Sequence, residues 1–225
     1  VMVDSAVSVV MREGKYVPAN LVSGGVVSNS VSIQAAINLA ATNGGGVVKL
    51  PPGTFMVDST TRPVGSDWAY TAGILMRSHV TLDGSGVGQT VLVRGPNRAD
   101  RHCVIANWNA LGVADSFVTI SNLTVDGNSG DQSLGTNEAH VGVRFSRQNQ
   151  LWIYNVRIMD VYGYGGFIGG EAFDLDLIEV SNAYITDCVF QGNAGSVSGC
   201  SISYSLNVLV NNSSSFGHAK GNGFT

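Results

Sequence analysis

The sequence predicts an all-β solenoid, a single-stranded parallel β-helix capped at its N-terminal end by one α-helix. Three observations carry this. The composition is rich in glycine (29 of 225 residues), poor in proline (5) and only 12% charged, about half the usual share of about 25%. A chain this apolar can bury enough surface to order itself. A single amphipathic segment is followed by short apolar runs punctuated by Gly, Asn, Ser and Asp. Finally, those runs superimpose on one another with a recurring Asn or Asp.

Taken in order, residues 1–24 are Val-rich without clean alternation and read as an incoming strand or a tether, with residues 25–225 as the solenoid. The sequence begins Val1-Met2-Val3 without a basic n-region, so no signal peptide is visible; either one has been removed or this is a piece of a longer chain. The helix places Ile33, Ala36, Ile37 and Ala40 at i, i+3, i+4 and i+7. Ser30 or Ser32 is positioned to cap it, and Asn43-Gly44-Gly45-Gly46 ends it. Beyond it, segments starting at Val118, Leu151, Ala183 and Val208 align at offsets of 33, 32 and 25 residues. Each has Ile or Val third (Ile120, Ile153, Ile185, Val210) and Asn or Asp fifth (Asn122, Asn155, Asp187, Asn212). A strand that alternates, bends at Asn and alternates again suits one solenoid coil, with neighbours stacking about 4.8 Å away. The fifth residues are expected to form a buried ladder. An antiparallel sandwich would also accommodate periodic turns, but gives no reason for that Asn to recur. Gly221–Thr225 reads like the middle of a repeat, so the chain is expected to continue or be capped beyond Thr225.

Several classes are disfavoured. A net charge of −4 argues against nucleic acid, which requires a basic face. No apolar run approaches the roughly 20 residues of a membrane span. Cys103, Cys188 and Cys200 are too few and too irregular for a disulfide framework or a zinc site, and read as small apolar residues.

Ser32-Ile33-Gln34-Ala35-Ala36-Ile37, followed by Asn43-Gly44-Gly45-Gly46-Val47-Val48-Lys49-Leu50-Pro51-Pro52-Gly53-Thr54-Phe55, resembles the opening of the pectate-lyase-like right-handed β-helix superfamily. Val80–Gly86 and Leu123–Asn128 are similar to its next elements. The resemblance implies a right-handed coil and a polysaccharide-binding surface, as in polysaccharide lyases, mannuronan epimerases, some glycoside hydrolases and phage tail spikes. It does not select the chemistry. The acidic, Gly-rich loop common before the family's helix is replaced here by Ser23–Ser30. Alginate epimerases carry Tyr-Gly-Phe-Asp-Pro-His near the position of Val161–Gly170. Tyr164 and Gly165 match its start, but Ile168-Gly169-Gly170 stands where Asp and His would follow, so an epimerase assignment fails at the residues that would carry it.

Elimination from a uronate needs a base at C5, a group neutralising the carboxylate and a proton donor for the leaving oxygen. Hydrolysis needs two carboxyl groups, about 5–5.5 Å apart for retention or about 6.5–9.5 Å for inversion. In Phe173-Asp174-Leu175-Asp176-Leu177 the alternation is expected to project Asp174 and Asp176 outward together, about 6.7 Å apart, as a hydrolytic pair, ligands for Ca2+, or a solvated strand face. Asp160, Tyr162, Tyr164 and His218 form a second group, with Asp160 and His218 two coils apart near one edge; they supply acid, base and orientation or serve as turn residues. His140, Arg144 and Arg147 precede the next repeat, where the arginines could hold a sugar carboxylate or line a solvated strand. Trp68, Tyr70 and Trp108 are candidate sugar platforms or packing residues, and Asp83 and Asp126, each before Gly, read as turn formers. The reading is therefore a carbohydrate-active protein that binds and cleaves a polysaccharide as a lyase or a hydrolase, extracellular or on a virion surface, in a homotrimer or larger assembly. The alternative is a non-catalytic structural or adhesive β-helix.

Overall fold

A computed structural model describes residues 9–58, 61, 70–96, 102–109, 115–131, 140–161, 173–192 and 198–218. Strands β1 (Val9–Arg12) and β2 (Lys15–Pro18) form an antiparallel hairpin, and β2 joins the main sheet through Tyr16 opposite Val48. Helix α1 spans Ser30–Thr42 and buries Ile33, Ala36, Ile37 and Ala40, as its spacing requires. Its N-cap is Asn29 rather than Ser30 or Ser32, and the Asn29 side chain makes no capping bond. The amide is instead drawn to the backbone of Val22, Val27 and Met56, tying the incoming chain to the helix. At the other end Gly45 has φ +118°, and a Cβ there would lie 2.5 Å from the His79 carbonyl. Only glycine fits that exit.

The remaining elements are strands: β3 (Gly46–Lys49), β4 (Gly53–Val57), β5 (Thr71–Met76), β6 (Val80–Asp83), β7 (Thr90–Arg94), β8 (His102–Asn107), β9 (Ser116–Asp126), β10 (His140–Ser146), β11 (Asn149–Met159), β12 (Phe173–Ile178), β13 (Ser181–Thr186), β14 (Val189–Gln191), β15 (Ser198–Ser203), β16 (Leu206–Asn211) and β17 (Ser214–Phe216). One sheet runs β1-β2-β3-β6-β9-β11-β13-β16, with β4, β7, β14 and β17 attached to the second halves of β9 and β11; the other runs β5-β8-β10-β12-β15. From β2–β3 onward the pairing is parallel, each strand bonding to its counterpart one repeat along. Val118 lies opposite Leu151, Leu151 opposite Ala183, and Ala183 opposite Val208, which reproduces the sequence offsets.

Asn122, Asn155, Asp187 and Asn212 take φ of 54°, 51°, 54° and 45°, the left-handed conformation that Asn and Asp tolerate best after Gly. Asn155 Nδ2 donates to Asn122 Oδ1 (2.8 Å), Asn122 Nδ2 to Asp83 Oδ1 (2.7 Å), and Asn212 Nδ2 to Asp187. The ladder exists but is not buried: Asn155, Asp187 and Asn212 are exposed. The left-handed corner turns its side chain outward, while the apolar neighbours Leu123, Val125, Val156, Ile158, Cys188 and Phe190 fill the interior. Asp83 is no local turn former either, since it heads this ladder and receives Lys49 Nζ (2.7 Å) and Ser121 Oγ (2.9 Å). Asp126 does accept from Asn128 N two residues on (2.8 Å). A second outward ladder, Asn149–Asn182–Asn207, links the other corner at 3.0 and 3.1 Å.

Both sheets and α1 share one core. Val48, Leu82, Ile120, Ile153 and Ile185 form a file from one sheet, and Ile74, Ile105, Val143, Leu175 and Cys200 a file from the other. Each aliphatic side chain so buried contributes roughly 1.5–3 kcal/mol. At the edge of β5, Gln34 of α1 substitutes for a neighbouring strand. Its Nε2 donates to Leu75 O (2.9 Å), and Leu75 N donates to its Oε1 (2.8 Å).

Candidate functional site

The strands of the second sheet are buried on both faces because a second apolar cluster covers the outer one. Tyr70, Ala72, Leu75, Cys103, Ala106 and Val141 form it, with Trp108 and Phe173 against it. Into this surface β10 and β12 place an ion pair. Arg144 stands opposite Asp176, with Nη1 2.9 Å from Oδ2 and both side chains almost fully buried. The guanidinium also lies 4.6 Å above the Tyr70 ring, a stacking that suits Arg better than Lys.

Four residues back along the same strands, His140 stands opposite His102, and His102 opposite Thr71. The adjacent row of Ala72, Cys103 and Val141 belongs to the outer cluster, so His140, His102 and Thr71 face the first sheet. Thr71 Oγ1 and His102 Nδ1 share a hydrogen bond of 2.8 Å. Arg94, at the end of β7 in the first sheet, donates from Nη2 to His140 Nε2 at 3.3 Å. A guanidinium can only donate, so His140 keeps its lone pair on Nε2. His140 and Arg144 are thus buried, not members of a solvated strand face.

Asp174 departs from its expected place. The pairing of the second sheet skips Gly73, Val104, Gly142 and Asp174, so each strand kinks in this row. A Cβ on Gly142 would run into Ile158 and sit 2.6 Å from the Asp174 carbonyl, which shows the row turning toward the core. Asp174 is 0% exposed, and neither carboxyl oxygen has a hydrogen-bond partner. Its Oδ2 faces His218 Nε2 at 3.6 Å. Burial above all, and then the charge of Asp160, push the Asp174 carboxyl well above its ordinary range, favouring the protonated form. Burial likewise pushes His218 below its ordinary value, partly opposed by its hydrogen bond to the Phe190 backbone.

The expectation that Asp174 and Asp176 project together therefore fails. The kink sends Asp174 toward Asp160 and His218, while Asp176 is taken up by Arg144. They form neither an outward hydrolytic pair nor a cradle for one calcium ion. Among the described residues no three His, Cys, Asp or Glu groups are arranged to hold a metal. Asp160 and His218 do come near one edge: Asp160 N bonds Gln191 O, and Gly192 N bonds Phe216 O two residues before His218. Arg147 makes an exposed pair with Glu179 (2.8 Å), worth little in water. Trp108 is half-buried beneath the Arg77 guanidinium, 4.7 Å away. Tyr162, Tyr164 and Trp68 lie outside the described residues. The sequence reading missed Arg94, His102 and Thr71; the even step from His140 to Arg144 crosses the kinked Gly142 row, so the two do not share a face, and nothing in it announced burial.

Parallel strands stacked one repeat apart over a shared core are the architecture of a pectate-lyase-like protein. The chain belongs to the family described as rhamnogalacturonase A/epimerase, pectate lyase-like, whose model matches residues 19–223. It is 33% identical over 144 residues to the mannuronan C5-epimerase AlgE6 of Azotobacter vinelandii, covering 63% of this chain and 16% of that protein. It is 34% identical over 104 residues to alginate lyase 7 of the same organism, covering 46% of this chain and 11% of that protein. The chain thus spans a small part of the length of these relatives. Among solved structures, the A-module of the A. vinelandii mannuronan C-5 epimerase AlgE4 superimposes with a TM-score of 0.74 at 21% identity, over 91% of this chain and 51% of that one. The tailspike of E. coli bacteriophage HK620, in complex with a pentasaccharide, superimposes with a TM-score of 0.66 at 17% identity, over 89% and 38%.

Proposed function

We propose that the chain is a right-handed parallel β-helix, capped by α1, that binds and chemically modifies an acidic polysaccharide at the outer face of the second sheet. The observation that supports this most is Arg144, buried, stacked on Tyr70 and oriented by Asp176. A buried, oriented guanidinium in a largely dry setting suits a uronate carboxylate. Relatives that act on mannuronan and alginate have substrates of this charge.

The same geometry favours chemistry at C5 over hydrolysis. Hydrolysis needs two carboxyl groups on opposite sides of the glycosidic bond, and Asp174 and Asp176 face different partners. Chemistry at C5 needs a carboxylate clamp and groups that exchange protons. Arg144 serves as clamp, with Arg147, Tyr162 and Trp108 as further sugar contacts. Asp160, Asp174, His218 and Tyr164 serve as the proton-handling set. A base removes the C5 proton, and the electron pair delocalises into the carboxylate. In elimination that pair becomes the C4–C5 double bond as the C4–O bond breaks, and the leaving oxygen takes a proton. In epimerisation a proton returns to C5 from the opposite face. The working context is extracellular or on a virion surface, in a homotrimer or larger assembly, as for tail spikes.

The test follows three products on a panel of acidic polysaccharides: ultraviolet absorbance of the unsaturated uronate, new reducing ends, and deuterium at C5 after incubation in heavy water. Absorbance supports elimination, and C5 deuterium without absorbance supports epimerisation. Reducing ends alone would refute C5 chemistry in favour of hydrolysis. Binding with none of the three would favour an adhesive role. That second reading draws on Asp174, which has no solvent exposure, and on Arg144, whose charge Asp176 already meets.

A further inference from the structure

We infer that the outer face of the first sheet, remote in the fold from Arg144, is an accessory platform on which a polysaccharide chain lies along the solenoid axis. The register sets two outward rows. Thr119, Trp152, Tyr184 and Leu209 form one, and Ser121, Tyr154, Thr186 and Asn211 the other. Phe117, Tyr154 and Tyr184 are 45%, 41% and 46% exposed. His79, Phe117, Trp152 and Tyr184 stack with centroids 4.9, 6.3 and 6.1 Å apart. From Phe117 to Tyr184 these separations exceed the coil rise of about 4.8 Å, so the rings are slipped and part of each face stays open.

Two features identify the occupant. No charged side chain interrupts these rows from β9 to β16. On both sides run the outward amide ladders, Asn149–Asn182–Asn207 and Asn122–Asn155. Each amide has two N–H groups and two lone pairs, and the ladder bond uses only some of them. Open aromatic faces between rails of amides and hydroxyls match the two aspects of a pyranose chain, its C–H faces and its hydroxyls. The repeat also fits, because linked pyranoses advance by about one coil rise per sugar. A second copy of the protein fits less well, since it would bury amide rails with no complementary partners.

This inference rests on the polysaccharide reading but not on chemistry at the second sheet. The test compares wild type, Tyr154→Ser/Tyr184→Ser and Arg144→Gln for binding to the polysaccharides of the panel, at low and high salt. Thermal unfolding checks that each variant is folded, and analytical ultracentrifugation gives the mass. The double variant is expected to bind about tenfold more weakly or worse, with the lost component less sensitive to salt than the one Arg144 supplies, because no charged side chain stands in the aromatic rows. Arg144→Gln should instead reduce the salt-sensitive component. Unchanged binding by the double variant overturns the inference alone. Absence of any polysaccharide binding by wild type overturns the inference together with the reading beneath it. A concentration-dependent mass that Tyr154→Ser/Tyr184→Ser abolishes, with binding intact, would make the face a contact between copies and also overturn it.

Discussion

Removing one partner from the Arg144–Asp176 pair tests whether this face is as dry as the geometry requires. Both side chains are almost fully buried, their atoms are 2.9 Å apart, and Tyr70 lies on the guanidinium. Asp176→Asn leaves a full positive charge in a low-dielectric setting without its carboxylate. Breaking a pair of this kind costs about 3–5 kcal/mol. In a chain of this size each kcal/mol lowers the unfolding midpoint by about 2–4 °C, so the midpoint should fall by roughly 6–20 °C. Arg144→Met/Asp176→Leu removes both charges and keeps apolar volume against Tyr70. It should recover most of that loss, because replacing a buried pair by well-packed apolar groups is often neutral. The assay is a double-mutant cycle built from urea denaturation at neutral pH, with Arg144→Met completing the square. Single variants within about 1 kcal/mol of wild type would show a pair that water reaches. The dry carboxylate clamp would then be refuted.

Four further outcomes follow from particular contacts. Gly142→Ala would place its methyl 2.6 Å from the Asp174 carbonyl and inside Ile158; since β12 must shift, a loss of about 1–3 kcal/mol or more is expected in urea titrations. The raised Asp174 carboxyl stabilises the fold fully below its unfolded value of 3.8 and loses that contribution as pH rises through its folded value. Asp174→Asn should therefore be more stable than wild type at neutral pH, with the difference vanishing on acidification. Destabilisation at neutral pH would instead reveal a charged Asp174–His218 pair. His218 acts in the opposite sense: its contribution is present above 6.5 and lost as pH falls through its lowered value, so His218→Phe should flatten the acid limb of the stability profile. Burial pushes the Cys188 and Cys200 thiols up to about 11 and about 12, so neither should react with a thiol reagent at mildly alkaline pH until the protein is unfolded.

Periodicity was legible because the register obeys it. A repeat that pairs Val118 with Leu151 and Ala183 leaves the same spacing in the sequence as in space. The inside–outside direction at the corners was not legible, because a left-handed residue reverses the alternation on which facing is judged. That is why the Asn122–Asn155 ladder looked buried and proved to be outward. The same limit hid the placement of Asp174. Simple alternation predicts that residues two apart share a face, and a kink between the register pairs breaks that rule without any residue in β12 to signal it. The hint lay one repeat away on either side, where Gly142 and Gly199 occupy the kinked row. Burial of Arg144 was hidden for another reason: the cover over its face is assembled from Tyr70, Leu75, Cys103 and Phe173 on three separated segments.

Those glycines bear on why the acid at Asp174 is there at all. In a stacked fold each inward side chain packs against its counterparts one repeat above and below. Asp174 has glycine on both sides, and its carboxyl group meets the His218 ring instead of a stacked side chain. Stability does not require an acid there. A carboxyl with no hydrogen-bond partner is costly to bury, and an amide or aliphatic group would cost less. An arrangement that gives up stability for a proton-holding group next to an imidazole is what function, rather than packing, would retain. Asp174→Asn separates the two. A gain in stability with loss of C5 exchange marks a functional acid, whereas a gain in stability with full activity would mark Asp174 as an uncompensated relic of the core.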